Sequence, residues 1–273
     1  MAIIVSSDVV REHLYGDANV QEDPVKVFRI VKESVEYYLR NGHNVIMDAT
    51  NLNSKKRAAY VRDLRCKLPG VEMRCCLVLC NPIELPARDA ARERHVGPEV
   101  IDRMLHSFQP PHYYEGWDGI DLYYTSDEDV DIGYLMAESV TFDQQNHHHT
   151  LTLGKHMEKA ADAMSDYTGT IAAWYHDIGK LFCQTFDDEG EAHYYDHHNI
   201  GSYIFLCSDL GKGWAYSDEY KRLLFVANVI AWHMTPYQCM SEEDFRQWAI
   251  KRRMPESMID TIWELHKADL EAH

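Results

Sequence analysis

The sequence lacks the features that mark membrane, secreted or disulfide-stabilised proteins. It has no run of about 18 apolar residues, the length that crosses a bilayer. Its first residues, MAIIVSSDVV, have neither the basic start nor the long apolar stretch of a signal peptide. The seven cysteines are an odd number with no C-x-x-C spacing, so we expect reduced, mostly buried thiols. These absences predict a soluble cytoplasmic protein.

The chain has 273 residues, of which 45% are hydrophobic. A chain of this length and composition can bury one large core or two modest ones. Disorder, collagen and coiled coil are therefore excluded as the main architecture.

A basic excess is also absent, and the negative charge is uneven. The net charge is −2 through residue 125 and −15 beyond it. Because duplex binding needs clusters of Lys and Arg, an acidic half of this kind is unsuited to a long polyanion. It can act on a single phosphate if bound cations reverse the local charge. The same half holds 11 of the 16 histidines, so it is rich in metal ligands.

The first 125 residues alternate between helical and strand patterns. Helices are predicted at 25–41, ending at Gly42, at 53–67 and around 88–94, and strands at 44–48 and 71–80. This alternation predicts a parallel α/β domain over residues 1–125.

The acidic run SDEDVD at 126–131 predicts a solvated connection. After it the apolar periods are helical, at 153–164, 170–182, 198–208, 219–234, 242–251 and 255–269. We therefore expect a second, all-α domain over residues 140–273.

The strongest chemical signal is the pair His176-Asp177, which interrupts the apolar helical stretch AAWYHDIGKLF. His156 lies upstream, and His197, His233 and Asp269 follow on separate predicted helices. This order, H…HD…H…H…D with HDIGK, resembles the HD-domain family of metal-dependent phosphohydrolases over residues 145 to 273.

The resemblance implies an all-α helical bundle with one or two divalent metals. The first metal would be bound by His156, His176, Asp177 and Asp269, and Asp177 would bridge to a second metal on His197 and His233. The sequence HHNIGS leaves His198 as a competing choice, although His197 matches the family's H-x-x-x-G spacing. Mixed His and Asp ligands admit Mn, Fe, Ni, Co, Zn or Mg.

The residue types support this chemistry without the family. A metal held by His and Asp lowers the pKa of bound water, which can then attack phosphorus. Asp177 and Lys180 are the predicted catalytic residues, since Lys180 lies one helical turn beyond His176 and can contact the phosphate. Any one of these histidines alone would more often be a core or capping residue. Only the ordered set carries the inference.

Three segments of the first half resemble the kinase module of polynucleotide 5′-hydroxyl kinases, a P-loop phosphotransferase family. They are IIVSSDVVREHLYGD, GHNVIMDATNLNSKKR and RDAARERHVGPEVIDRMLHSFQPPHYYEGWDGI. By resemblance Asp8 would deprotonate the attacking hydroxyl and Arg11 would hold the acceptor phosphate. Asp48 would lie near the metal and phosphates, and Arg88, Arg92 or Arg94 would belong to a lid over ATP.

The phosphate-binding motif of that family, G-x-x-x-x-G-K-[ST], is missing. Gly-Lys occurs at 154–155, 179–180 and 211–212, never followed by Ser or Thr. The resemblance starts at the family's second strand, which argues against ATP binding and favours Asp8 and Arg11 as structural remnants. An incomplete sheet exposes an edge or a face, so we expect pairing with another chain, as in a homo-oligomer, or a rearranged first strand.

The sequence thus predicts a divalent-metal-dependent phosphohydrolase acting on a nucleotide or a nucleic-acid end. Joined kinase-like and phosphatase modules point by analogy to a 2′-, 3′- or 2′,3′-cyclic phosphate in end repair. One alternative is a truncated polynucleotide kinase-phosphatase whose full-length form uses ATP. The other is a metal-containing module that binds nucleic-acid ends without turnover.

Overall fold

A computed structural model describes residues 2–147 and 150–272. The chain divides by Cα packing into two compact units. Unit 1 comprises Met1–Asn51 and Ala59–Val71, and unit 2 comprises Leu52–Ala58 and Glu72–His273. Residues 72–125, assigned from sequence to the first domain, are thus part of unit 2. The domain limits 1–125 and 140–273 stay a prediction.

Unit 1 is a two-stranded parallel ladder with helices. Its elements are β1 (Ile3–Ser6), α1 (Ser7–Tyr15), α2 (Pro24–Arg40), β2 (Val45–Asp48) and the later part of α3 (Ser54–Lys67). Strands β1 and β2 pair from Ile3 opposite Val45 to Ser6 opposite Asp48. Val31 and Val35 of α2 pack on Val5, which makes this helix the cover of one sheet face.

The helix predicted at 25–41 is confirmed as α2. It begins where Asp23 accepts a hydrogen bond from the backbone N of Lys26 and Pro24 occupies the first turn, both of which favour helix initiation. Gly42 follows with φ of +79°, a conformation that glycine adopts without strain.

Unit 2 contains the remaining strands and helices. They are the start of α3, β3 (Arg74–Leu79), α4 (Leu85–Ala90), α5 (Pro98–His106), β4 (Gly119–Tyr124), α6 (Ile132–Thr141), α7 (Leu153–Asp162), α8 (Tyr167–Tyr175), β5 (Thr185–Phe186), β6 (Ala192–His193), α9 (His197–Cys207), α10 (Asp209–Ala215), α11 (Tyr220–Trp232), α12 (Glu242–Lys251) and α13 (Glu256–Glu271).

The strands predicted at 44–48 and 71–80 are present as β2 and β3, but among the described residues they lie in two separate parallel ladders, β1 with β2 and β3 with β4, rather than in one sheet. The helical and strand pattern did not predict β1 or β4. In each ladder, two apolar residues that lie opposite each other on the paired strands are exposed. Ile4 lies beside Ile46, and Val78 beside Tyr123, all more than half exposed. Both ladders therefore have the exposed face expected of an incomplete sheet, and their pairing with another chain stays a prediction.

The C-terminal residues are mostly helical, but the all-α expectation needs two corrections. A short antiparallel pair, β5 with β6, lies between α8 and α9. The helix predicted at 170–182 is divided: α8 ends at Tyr175 and a 3₁₀ helix covers Ile178–Phe182. The divided helix places His176 and Asp177 at a helix end, where their side chains leave the apolar stripe.

The core of unit 2 lies between α7, α8, α9, α11 and α13. Its fully buried members include Met157, Ile178, Phe205, Leu223 and Ile262.

No helix among the described residues is both long enough and apolar enough to cross a membrane. All seven cysteines are free thiols, but only Cys80, Cys183 and Cys207 are buried, so the expectation of mostly buried thiols was wrong.

Candidate metal centre

The six predicted metal ligands meet in unit 2, although they are spread over more than a hundred residues of sequence. All are buried, with exposures of 6% or less. They are His156 in α7, His176 and Asp177 after α8, His197 at the start of α9, His233 after α11 and Asp269 in α13. Their side-chain atoms form two overlapping groups, His156 with His176 and Asp177, and Asp177 with His197 and His233.

Asp177 is shared by the two groups, one carboxylate oxygen for each. Its Oδ2 lies 3.3 Å from Nε2 of His156 and 3.4 Å from Nε2 of His176. Its Oδ1 lies 3.0 Å from Nε2 of His197 and 3.6 Å from Nε2 of His233. A carboxylate divided in this way can bridge two cations.

Asp269 completes the first group. Its Oδ1 lies 2.9 Å from Nε2 of His156 and 3.6 Å from Nε2 of His176. Its Oδ2 accepts a hydrogen bond from the Tyr237 hydroxyl at 2.7 Å. Tyr237 thus directs one oxygen of Asp269 to the site. Sequence reasoning missed this tyrosine, and its position four residues after His233 was the one available signal.

The histidines are oriented by the backbone. A carbonyl oxygen can only accept, so each Nδ1 near one carries the hydrogen and each Nε2 carries a lone pair. Nδ1 donates at 2.7 Å from His176 to Ala173, at 2.8 Å from His197 to Tyr194 and at 2.7 Å from His233 to Ile230. This second contact fixes the tautomer and aims the ring, as is usual for metal-binding imidazoles.

The donor set fits a divalent cation. Nε2 of His197 and Nε2 of His233 lie 3.2 Å apart, and both atoms carry lone pairs in the tautomer that the carbonyls impose. Nε2 of His176 is buried and has no hydrogen-bond partner among the described residues. Lone pairs that face one another and two carboxylates need a positive charge between them. Metal ions would satisfy these atoms together.

The pKa shifts of the ligands result from the same buried negative charges and lone pairs. Burial opposes ionisation of Asp177, but the charges of Lys180 and the neighbouring histidines hold its pKa well below the usual range. Burial, with the charges of His176 and His197 and against the opposing effect of Asp177, lowers the pKa of His233 to about 4, so this ring is neutral at pH 7. For His176 burial acts in the same direction, yet Asp177 and Asp269 raise its pKa. A proton on His176 would take the place of a metal.

Close packing of two glycines places His197 beside Asp177. A Cβ atom on Gly179 would lie 2.0 Å from the carbonyl oxygen of His197 and 2.6 Å from the backbone N of Gly201. The 3₁₀ helix and α9 can approach this closely only because Gly179 has no side chain. The glycines in HDIGK and HHNIG therefore set the distance between the two groups.

Lys180 lies in the site but contacts Asp177 rather than an open face. Its Nζ is 2.7 Å from Oδ2 of Asp177, and the residue is 4% exposed. In a 3₁₀ helix, side chains three residues apart are eclipsed, so the pair meets here because the helix tightens at Ile178. Gln144, which sequence reasoning did not consider, accepts a second hydrogen bond from Nζ at 2.9 Å.

Other histidines near the centre differ in their placement. The imidazole ring of His198 contacts the rings of His197 and His233. Burial lowers the pKa of His198 to about 2. It has no place in either ligand group. Of the sequence cluster 147–149, His147 pairs with Glu191, and positions 148 and 149 lie outside the described residues.

The residues predicted for the kinase-like site are placed in both units. In unit 1, Arg11 pairs with Asp8 at 2.7 Å within α1, and Asp48 ends β2 opposite Ser6. In unit 2, Arg88 of α4 is paired with Glu84 at 3.0 Å.

Arg92 lies beyond the end of α4 and is exposed. The helix predicted around 88–94 therefore ends before this arginine, because the Asp89 carboxylate turns the following chain by accepting hydrogen bonds from Val96 and Gly97.

A comparison with protein families supports the assignment of the first half. Residues 1–111 match the family model described as an AAA domain. The N-terminal part of the chain is thus P-loop-kinase-like. No curated protein matches the chain.

Proposed function

We propose that unit 2 is a divalent-metal-dependent phosphohydrolase that removes phosphate from a nucleotide or a nucleic-acid end. The observation that carries the proposal is the arrangement of the Asp177 carboxylate. Its two oxygens face two separate sets of imidazole nitrogens. The ordered resemblance to HD-domain phosphohydrolases supports the same reading. The kinase-like match over residues 1–111 favours a substrate from the nucleotides or nucleic acids.

The chain's own residues would position the reaction. The carbonyl contacts of His176, His197 and His233 keep their Nε2 atoms aimed at the centre. Divalent ions bound there would supply an activated water and neutralise phosphate oxygens. Lys180 would add a positive charge beside the leaving oxygen, where charge develops in the transition state.

Burial and charge restrict the substrate. The ligands are 6% exposed or less, and the residues after 125 carry a net charge of −15. A long duplex would be repelled by that charge. A terminal phosphate, whether 2′, 3′ or 2′,3′-cyclic, is compatible with both restrictions.

The test is a panel of phosphoesters with protein loaded with each metal in turn. Substrates are p-nitrophenyl phosphate, nucleoside monophosphates, 2′,3′-cyclic nucleotides and RNA oligomers with 2′-, 3′- or cyclic phosphate ends. We expect metal-dependent release, lost in Asp177→Ala and His176→Ala and kept in His193→Ala, a control whose histidine pairs with Asp187 outside the ligand groups. Unchanged turnover in either ligand variant would refute the proposal.

The burial of the ligands also favours one other reading, a structural metal with no turnover, because structural sites are typically closed. Bound metal with no hydrolysis of any substrate would support that reading. The family match favours a test of kinase activity as well, so the panel includes ATP with a 5′-hydroxyl oligomer. Phosphate transfer to that oligomer would establish a kinase.

A further inference from the structure

The ammonium group of Lys180 is enclosed by a set of contacts that the metal ligands do not explain. Gln144 is 1% exposed, and its Oε1 accepts the Lys180 hydrogen bond at 2.9 Å. Its Nε2 donates to the backbone carbonyl oxygen of Leu151 at 3.2 Å. The backbone carbonyl oxygen of Gln144 accepts a hydrogen bond from the Tyr194 hydroxyl at 2.6 Å. The Gln144 amide is therefore fixed at both ends.

Tyr194 bounds a second side of the ammonium. Nζ of Lys180 lies 5.4 Å from the centre of the Tyr194 ring, within the range of a cation–π contact. The ring is held by its hydroxyl, which donates to Gln144 and accepts from Nε2 of Gln184 at 2.8 Å.

The backbone around Gln144 is also constrained. The next residue, Gln145, has a φ of +45°, which costs free energy in a residue other than glycine. The conformation is stabilised by β6, since Ala192 donates its N–H to the carbonyl oxygen of Gln145 at 2.9 Å and accepts from Nδ2 of Asn146 at 2.7 Å. Such strain is concentrated where structure must hold a group in one place.

We propose that Gln144 is a positioning residue that holds the Lys180 ammonium for a phosphate oxygen of the substrate. The proposal rests on the proposed function. A cation that takes Oδ2 of Asp177 competes with the ammonium for that oxygen, and Gln144 then keeps Nζ in place. An amide suits this task because it accepts a hydrogen bond without neutralising the charge. A carboxylate there would cancel the charge that the phosphate needs.

The test is a double-mutant cycle on the metal-loaded full chain. Gln144→Met removes the acceptor with little change in size, and Lys180→Met removes the ammonium. We expect Gln144→Met to lower kcat by about 10- to 100-fold, the range for a lost hydrogen bond to a charged group, with metal content within twofold of wild type. The double variant should be no slower than Lys180→Met.

Gln109→Met is the matched control. Oε1 of Gln109 accepts a hydrogen bond of the same length, 2.9 Å, from the backbone N of Ser54 outside the ligand groups, and its kcat should stay within twofold of wild type. A Gln144→Met variant as active as this control, or additive losses in the double variant, would overturn the proposal.

A third variant separates positioning from folding. Gln144→Glu keeps an acceptor for Lys180 but adds a negative charge, so we expect a folded protein whose kcat is still at least tenfold lower. Wild-type kcat in Gln144→Glu would show that the reaction does not need the uncancelled charge of the Lys180 ammonium and would overturn the proposal. This variant decides the question if Gln144→Met fails to fold.

Phosphate binding distinguishes this inference from the hydrolase itself. Calorimetry with inorganic phosphate and manganese-loaded protein should show binding weakened at least fivefold in both Gln144→Met and Lys180→Met. If wild type binds phosphate and both variants bind it at least fivefold more weakly, but wild type hydrolyses nothing, the positioning role stands and the hydrolase proposal fails. If wild type hydrolyses its substrate and neither variant differs from Gln109→Met, the positioning role fails alone.

Discussion

Substitution of Gly179 by alanine tests whether the glycine contact sets the metal centre. The added Cβ would meet the His197 carbonyl oxygen at 2.0 Å, whereas ordinary van der Waals contact begins at 3.4 Å. The 3₁₀ helix and α9 must therefore separate by about 1.4 Å, and both neighbouring atoms are backbone, which cannot rotate aside. The same separation would lengthen the 3.0 Å distance between Asp177 and His197.

The cost follows from overpacking. Extra methyl groups forced into a packed interior cost about 1–3 kcal/mol, so we expect the free energy of unfolding to fall by that amount. For a chain of this size this corresponds to a Tm lower by roughly 3 to 10 °C. Because His197 moves with α9, the variant should also bind less metal in the second group.

The assays are urea unfolding followed by far-UV circular dichroism, and metal content after dialysis. Gly213→Ala is the control, since Gly213 lies in α10 and a Cβ there would meet nothing within 4 Å. A helical glycine replaced by alanine should raise the free energy of unfolding by about 0.5–1 kcal/mol. Equal stability of Gly179→Ala and wild type, with unchanged metal content, would refute the packing argument.

Four further substitutions test other contacts of the structure. Asp177→Asn should remove metal from both groups and Asp269→Asn from one, because only Asp177 faces both; metal content by mass spectrometry measures this. Tyr237→Phe frees Oδ2 of Asp269 and should weaken metal affinity by about tenfold, as losses of supporting hydrogen bonds do, in a chelator competition. Glu115→Gln removes the negative charge that faces the buried Arg57 guanidinium at 2.7 and 2.9 Å and should lower the free energy of unfolding by about 3–5 kcal/mol, with metal content unchanged.

Each of these has a surface control. Asp187→Asn and Tyr216→Phe alter exposed side chains and should leave metal binding as in wild type. Asp121→Asn breaks an exposed pair with Arg74, which should cost less than about 1 kcal/mol. Metal retained in both groups by Asp177→Asn would contradict the shared carboxylate. An affinity unchanged in Tyr237→Phe, or a cost in Glu115→Gln as small as that in Asp121→Asn, would contradict the other two predictions.

Much of the candidate site could be predicted from the order of its residues. The metal ligands are His and Asp, whose coordinating chemistry is intrinsic to the side chain, and the pair His176-Asp177 interrupts a helical apolar period. Helices α2, α11 and α12 could be predicted for the same reason, since their apolar residues recur at helical spacing. The parallel direction of the strands could be predicted from the alternation of helical and strand patterns, because a parallel pair needs a long crossover.

Other features depend on contacts between residues far apart in sequence. The break after Tyr175 could not be predicted, because the sequence 170–182 has one continuous helical period, whereas packing against α9 through Gly179 favours the tighter 3₁₀ turn. Gln144 and Tyr237 have ordinary polar side chains whose roles appear only once Lys180 and Asp269 lie beside them.

The sequence by itself determined which residues can bind a metal, since that depends on side-chain chemistry and order. Only the tertiary structure decided that Asp177 gives one oxygen to each group, that the imidazoles are aimed by backbone carbonyls, and that Lys180 is held by an amide. Those are distances and directions between atoms on different helices, and a linear pattern fixes neither.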